Sequence, residues 1–186
     1  MSTVDEYIQK LDKIADQAVI SAALTKAVSS IHARISKRIF TDGKKTDGSN
    51  IGQYDTKNEI YVNPKTAVRL KGVNPPQGKH GDQAFGNGKP HKTRYFPNYK
   101  EFRQAVDRRT DKVNLNLTGD LKSDFDSGLI KVSDLEYHIV LKRDINSDKA
   151  HGNEDHFGGL IFKMSKAEKD SVNKIFGQEL KVLFNK

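Results

Sequence analysis

Four residues near the end of the chain carry metal-ligand chemistry: His151, Glu154, Asp155 and His156. Imidazole and carboxylate groups are the donor set of a divalent-metal site. A polar loop between a sheet and a helix accounts for the same residues, so no metal is expected. Asp144, Asn146, Asp148 and Asp155 fall on positions 1, 3, 5 and 12 of a calcium-loop pattern. Position 6 is Lys149 in place of Gly, which sets a positive charge beside the ion, and position 12 lacks the bidentate Glu. Gly78-Lys79 and Gly88-Lys89 suggest a phosphate-binding loop. The required first Gly is Val73 or Gln83, however, and no Ser or Thr follows either pair. Ser, His and Asp are plentiful, but nothing resembles a nucleophile elbow. His80 and His91 have only Asp82 beside them, whereas a two-metal nuclease needs several acids close together. The expectation is a chain with no catalytic residues and no cofactor.

Binding chemistry is better represented. Between Lys65 and Lys112 stand twelve Lys/Arg against four acids, a local excess that matches the net charge of +8. Lys79, Lys89, Lys92 and Arg94 are the candidate contacts to DNA or to a protein partner. His91, Tyr95 and Phe96 lie among them, a mixture that allows phosphate contact and base stacking. No helix-turn-helix or sheet-surface aromatic motif accompanies them, so non-specific phosphate contact is the form expected. A basic arm that folds on an acidic neighbour is the alternative.

The elements that position these residues are readable from periodicity. The 186 residues fit a single domain, 1–186, with an extended basic arm at about 41–97. Apolar content is 35%, there is no Trp, and mean hydropathy is −0.72, which suits a small core with long excursions, or a subunit that completes its burial against neighbours. The absence of Cys excludes disulfides and thiolate-bound zinc. No apolar run approaches the roughly 18 residues of a membrane span. The polar, acidic N-terminus is not a secretion signal, so the protein is expected to be made in the cytoplasm.

Thr3 and Glu6 form a capping box, and one helix is expected over about 3–40, roughly 55 Å long, or else broken near 22–25. Its second apolar stripe holds Ile20, Leu24, Val28, Ile31 and Ile35, and so long a helix is expected to pack on another subunit, the alternative being a long helix lying across its own sheet. Asp42-Gly43 and Asp47-Gly48 supply positive-φ turn positions. Strands are expected at 60–62 and, more weakly, at 66–73. Residues 75–94 have no apolar period and read as the arm. A helix over about 98–109 follows, then a strand in which Val113, Leu115 and Leu117 alternate with polar residues. Leu121 and Phe125 anchor a short segment. Residues 129–132 and 135–141 read as a hairpin, 145–159 as a polar loop and 160–162 as a last short strand. Ser165 and Glu168 cap a final helix. The class is α+β: a long N-terminal helix, a small mostly antiparallel sheet with an extended loop, and a C-terminal helix.

The serial order of several segments resembles a known family. Ile39-Phe40, Asp47-Gly-Ser-Asn-Ile-Gly-Gln-Tyr54, Tyr95-Phe-Pro-Asn-Tyr-Lys-Glu-Phe-Arg103, Val113-Asn-Leu-Asn-Leu-Thr-Gly-Asp-Leu-Lys-Ser123 and His156-Phe-Gly-Gly-Leu-Ile-Phe-Lys-Met-Ser-Lys-Ala-Glu168 are the pieces concerned. They resemble the neck and tail-completion (virion-morphogenesis) proteins of tailed bacteriophages over most of residues 30–186. The Leu-x-x-Thr-Gly-x-Leu-x-x-Ser element is the most recognisable. The chain departs from the pattern at Gly158-Gly-Leu-Ile-Phe162, where the family often has an Arg-Pro-type segment, and in the long insertion at 72–92. The resemblance implies a virion structural protein without cofactor. It implies a homo-oligomeric ring of six or twelve copies at the head-tail junction, between portal (connector) and tail proteins, around the DNA channel and away from any membrane. A basic, non-specific nucleic-acid-binding accessory protein is the rival expectation, and a metal-dependent nuclease a distant third.

Overall fold

The computed structural model describes residues 16–62, 80–81 and 93–184, together with Gln9 and Asp12. Within them lie five α-helices and two small antiparallel sheets, so the α+β expectation holds. The long N-terminal helix is α1, Gln17–Lys37. It does not run unbroken from residue 3. Gln9 and Asp12 are helical, but Asp16 is an extended N-cap whose carboxylate accepts the Ala18 N–H at 2.8 Å. A side chain that takes a backbone donor in this way starts a helix afresh. The helix then passes through 22–25 without interruption. The phase shift of the apolar stripe lies beside this cap. The Thr3–Glu6 box falls outside the described residues.

One wide π turn, Arg38–Asp42, continues α1 and ends at Gly43. Gly43 has φ +66°, and a Cβ there would lie 2.3 Å from the Val113 carbonyl oxygen, so only glycine fits. The chain doubles back through a tight turn closed by a Lys44–Asn50 bridge, with Gly48 at φ +86°. Strands β1 (Ile60–Val62), β2 (His80–Gly81) and β3 (Thr93–Phe96) form one sheet in the order β1-β3-β2. Residues 41–62 and 93–97 therefore belong to the folded unit, which narrows the arm. The weak strand at 66–73 and most of the arm lie outside the described residues.

Helix α2, Tyr99–Ala105, starts where expected, because Asn98 accepts the Glu101 N–H at 2.9 Å. It is shorter than expected at its end. Residues 113–117 do not form a strand. Leu115 has φ +49°, and the Asn114 side chain accepts the Asn116 N–H. The Asn116 and Leu117 carbonyls are taken by the guanidinium groups of Arg103 and Arg108. Arginine donors thus do what a neighbouring strand would do. Helix α3, Asp120–Asp126, leads into the hairpin of β4 (Leu129–Ser133) and β5 (Glu136–Ile139), as expected.

The expected polar loop at 145–159 is instead helix α4, Asp144–Phe157. Its inner face carries Asn146 and Ala150, too few apolar residues to leave a clear helical period. Its N-terminus is anchored from α3: the buried Asp124 carboxylate accepts the Arg143 N–H at 3.2 Å and the Asn146 amide at 3.0 Å. Burial by itself raises the Asp124 carboxyl. The Asn146 amide, the Arg143 N–H and the Arg143 guanidinium outweigh it, and the net pKa lies below the ordinary 3.8. A depressed carboxyl contributes stability that is present above its unfolded value and lost as pH falls through the folded one. Asp124→Asn should therefore flatten the acid side of the stability profile. Urea melts between about pH 7 and pH 3 would detect this as a gap from the parent protein that narrows on acidification.

Nor is 160–162 a strand. The Ile161 and Phe162 N–H groups both donate to Glu154 Oε1, at 2.6 and 3.0 Å, so no edge is left to pair. Helix α5, Lys166–Phe184, opens on the expected capping box: Ser165 Oγ accepts the Glu168 N–H, and Glu168 accepts the Ser165 N–H. It runs antiparallel to α1, with Arg38 paired to Glu168 at one end and Lys26 to Glu179 further along. The main core joins Ile31, Ile35, Ile39 and Phe40 to Ile51, Val113, Leu121, Phe125 and Ile161. A second cluster of Phe96, Phe102 and Val106 lies under β3 and α2.

Candidate functional site

Segments far apart in sequence meet around a cleft of about 600 Å³. Tyr54 comes from the loop before β1, and Tyr99 and Arg103 come from successive turns of α2. Leu115 and Leu117 come from the extended segment, and Leu121 from α3. The last turns of α4 close it with Asn153, His156 and Phe157, and Lys149 lies one turn earlier. Tyr54 and Tyr99 pack with ring centroids 5.7 Å apart. Lys45 holds the end of α4 in place by donating to the Phe157 and Gly158 carbonyls at 2.8 and 2.6 Å.

Arg103 defines the electrostatics. It is 1% exposed, yet it pairs with no carboxylate among the described residues. Its Nε donates to the Arg109 carbonyl at 3.0 Å, and its Nη2 to Asn114 Oδ1 at 3.0 Å and the Asn116 carbonyl at 3.2 Å. The guanidinium carbon lies 4.3 Å from the centre of the Tyr54 ring. Carbonyl dipoles and a π face solvate the cation but leave its net charge in place. The Tyr54 hydroxyl donates to Asn114 Oδ1 at 3.3 Å and accepts the Asn114 N–H at 3.1 Å. Burial raises its pKa, and the Asn114 amide and Arg103 oppose the shift. Lys149 adds a second cation with no ion pair among the described residues. The one acid in the lining, Asp55, is exposed and accepts the Lys57 and Asn58 N–H groups, which lower its pKa. The arrangement suits recognition of an apolar group that carries negative charge beside it.

The sequence-derived candidates fall elsewhere. Lys79, Lys89 and Lys92 lie outside the described residues. Arg94 is in β3, in register with Val62 on one side and His80 on the other. In α1, Ile31 and Ile35 are consumed by the chain's own core and offer nothing to a neighbouring subunit, whereas Ile20, Leu24 and Val28 are half-buried. The calcium-pattern residues are spread around a helix rather than gathered in a loop, with Asn146 turned inward onto Asp124. Glu154, counted among the metal candidates, instead holds the 161–162 backbone. Among the described residues no three His, Asp or Glu side chains are placed to share a metal ion. No helix among them is long and apolar enough to cross a membrane.

Periodicity did not locate the cleft. Its cation sits in a short helix whose apolar face, Tyr99, Phe102 and Val106, was visible. Nothing in the spacing marked Arg103 as buried. The helix start signal at Asp144 and the stop at Gly158 were the readable hints to α4. Comparison with protein-family models, with curated proteins and with solved structures gave no match to this chain.

Proposed function

We propose that this chain is a non-enzymatic structural protein of a tailed-bacteriophage virion. It forms a ring of six or twelve copies at the head-tail junction, joins the portal to the tail, and surrounds the channel through which DNA passes. The observation that carries this reading is the convergence of the resembling segments. Residues 47–54, 95–103, 113–123 and 156–168, which follow the family's serial order, supply Tyr54, Tyr99, Arg103, Leu117, Leu121 and Phe157 to one cleft. Segments recognised only by their order thus act as one spatial unit. The modest core supports the same reading, since several large apolar side chains stay outside it.

The basic stretch gives the ring its second property. Lys79, Lys89, Lys92 and Arg94 are the proposed contacts, either to DNA phosphate in the channel, whose repulsion they would offset, or to an acidic partner in the neck. The purified protein, alone or with portal protein, should sediment as a discrete closed oligomer. A chain that stays monomeric beside portal and tail proteins, and is missing from purified particles, would overturn the proposal. Steep salt-dependent DNA affinity in that monomer would favour the nucleic-acid-binding alternative.

A further inference from the structure

We infer that the tip of the β4–β5 hairpin of one copy docks into the Arg103 cleft of the next copy. This rests on the ring proposal and names its subunit contact. Among the described residues the hairpin is a two-stranded sheet with both outer edges unpaired. Leu135, at its turn, is 58% exposed, and Val132 is 54% exposed. An isolated two-stranded sheet is marginal in water without a packed face. Contacts with α1 fix the direction of this one: Lys131 Nζ donates to Ser21 Oγ at 3.1 Å, and the Tyr137 hydroxyl meets Thr25 Oγ1. The apolar tip is therefore held outward rather than folded over.

Charge identifies the occupant of the cleft as a second copy. Two molecules of net charge +8 repel, so a contact between them needs acids on one side. Leu135 stands between Asp134 and Glu136, both about half exposed; Lys131 meets Asp134 at 2.8 Å and His138 meets Glu136 at 2.8 Å, so residues 131–138 hold two acids against one Lys. The cleft offers apolar walls, the uncompensated cation of Arg103, and Lys149 at its rim. An apolar knob with a net negative charge thus matches an apolar hole whose two cations outnumber its one acid, Asp55. No hairpin residue lines the cleft of its own chain, so the match is one between copies. Two different surfaces then meet head to tail, the geometry that closes into a ring when the rotation permits.

The chain has no Cys, which makes the contact directly testable. Leu135→Cys and Asn153→Cys proteins are mixed under mild oxidation and the mixed disulfide dimer is timed. Leu135→Cys mixed with Lys174→Cys, on the exposed face of α5, is the control. Lys149→Cys replaces Asn153→Cys if the latter does not fold by circular dichroism. The expected result is a dimer that forms at least about tenfold faster than in the control, as effective concentration requires. Equal rates would overturn the inference. So would cross-linking of the cleft cysteine to another virion protein in particle extracts with none to Leu135→Cys. A fast cross-link in a protein absent from the neck would uphold the contact and refute the ring's location. Rings in the neck with equal rates would do the reverse.

Discussion

Replacing Arg38 by Met is expected to cost about 3–5 kcal/mol, because it strips one partner from a buried ion pair. Arg38 and Glu168 are 12% and 9% exposed in their side chains, and meet at 2.9 Å. The same guanidinium donates to the carbonyls of Lys44 and Ile161 from Nη1, and of Lys163 from Nη2. One side chain thereby ties α1, the turn after it, the 161–163 segment and the start of α5. Without it, Glu168 keeps its charge with no counter-ion, and three carbonyls lose a donor. For a domain of this size the melting temperature should fall by roughly 10 °C. Arg38→Lys should recover little, since an ammonium cannot reproduce the planar fork. Adding Glu168→Gln to Arg38→Met should recover part of the loss by removing the stranded charge. Calorimetry on the three variants separates these outcomes, and an Arg38→Met protein as stable as its parent would refute the clamp.

Phe125→Ala should be equally damaging, at about 3–5 kcal/mol. The ring is 2% exposed and lies at the centre of the main core. It packs edge-on to Phe40 at 5.7 Å, against Phe162 at 6.2 Å and beside the His32 ring at 5.1 Å. The backbone around it is also committed: the Phe125 carbonyl accepts a hydrogen bond from His32 Nε2 at 2.9 Å, which fixes the tautomer with its proton on that nitrogen. Truncation leaves a cavity bounded by α1, α3 and the segment before α5, none of which can collapse independently. Chemical denaturation should show a lowered midpoint with little change in slope. Phe125→Leu should lose markedly less. Similar losses for the two would mean that the cavity is not what governs the cost.

Both residues show what the sequence could and could not convey. Phe125 was visible as an anchor because apolar residues at regular spacing mark a core. The capping box at Ser165 and the turns at Gly43 and Gly48 were legible because each is a local rule about a few consecutive residues. The hairpin was legible for the same reason. Arg38 carried no signal, since three of its four partners lie more than a hundred positions away and most are backbone carbonyls. The strand expected at 113–117 failed through a similar non-local cause. Its apolar residues do turn inward, Val113 buried and Leu115 and Leu117 half-buried, but Asn114 is buried beside them and arginine side chains replace the paired strand. Helix α4 reads as a loop in the sequence because its inner face is held by Asn146 on Asp124 rather than by an apolar stripe. The cleft combines these non-local devices, which is why its apolar walls were partly readable and its buried cation was not.

Residues 157–163 link the clamp to the cleft. Phe157 lines the cleft, Glu154 holds the 161–162 backbone, and Arg38 holds Ile161 and Lys163. A weakened clamp should therefore loosen the cleft wall as well as the fold. If the cleft receives the neighbouring hairpin, assembly and stability are coupled through this segment.

The most direct test of the proposed role is a cryo-electron micrograph reconstruction of the assembled particle. The expected result is density for this fold in a ring of six or twelve copies between portal and tail, with the basic segment turned toward the channel or a neighbouring protein. A neck built entirely of other chains, in particles whose genome encodes this protein, would contradict it.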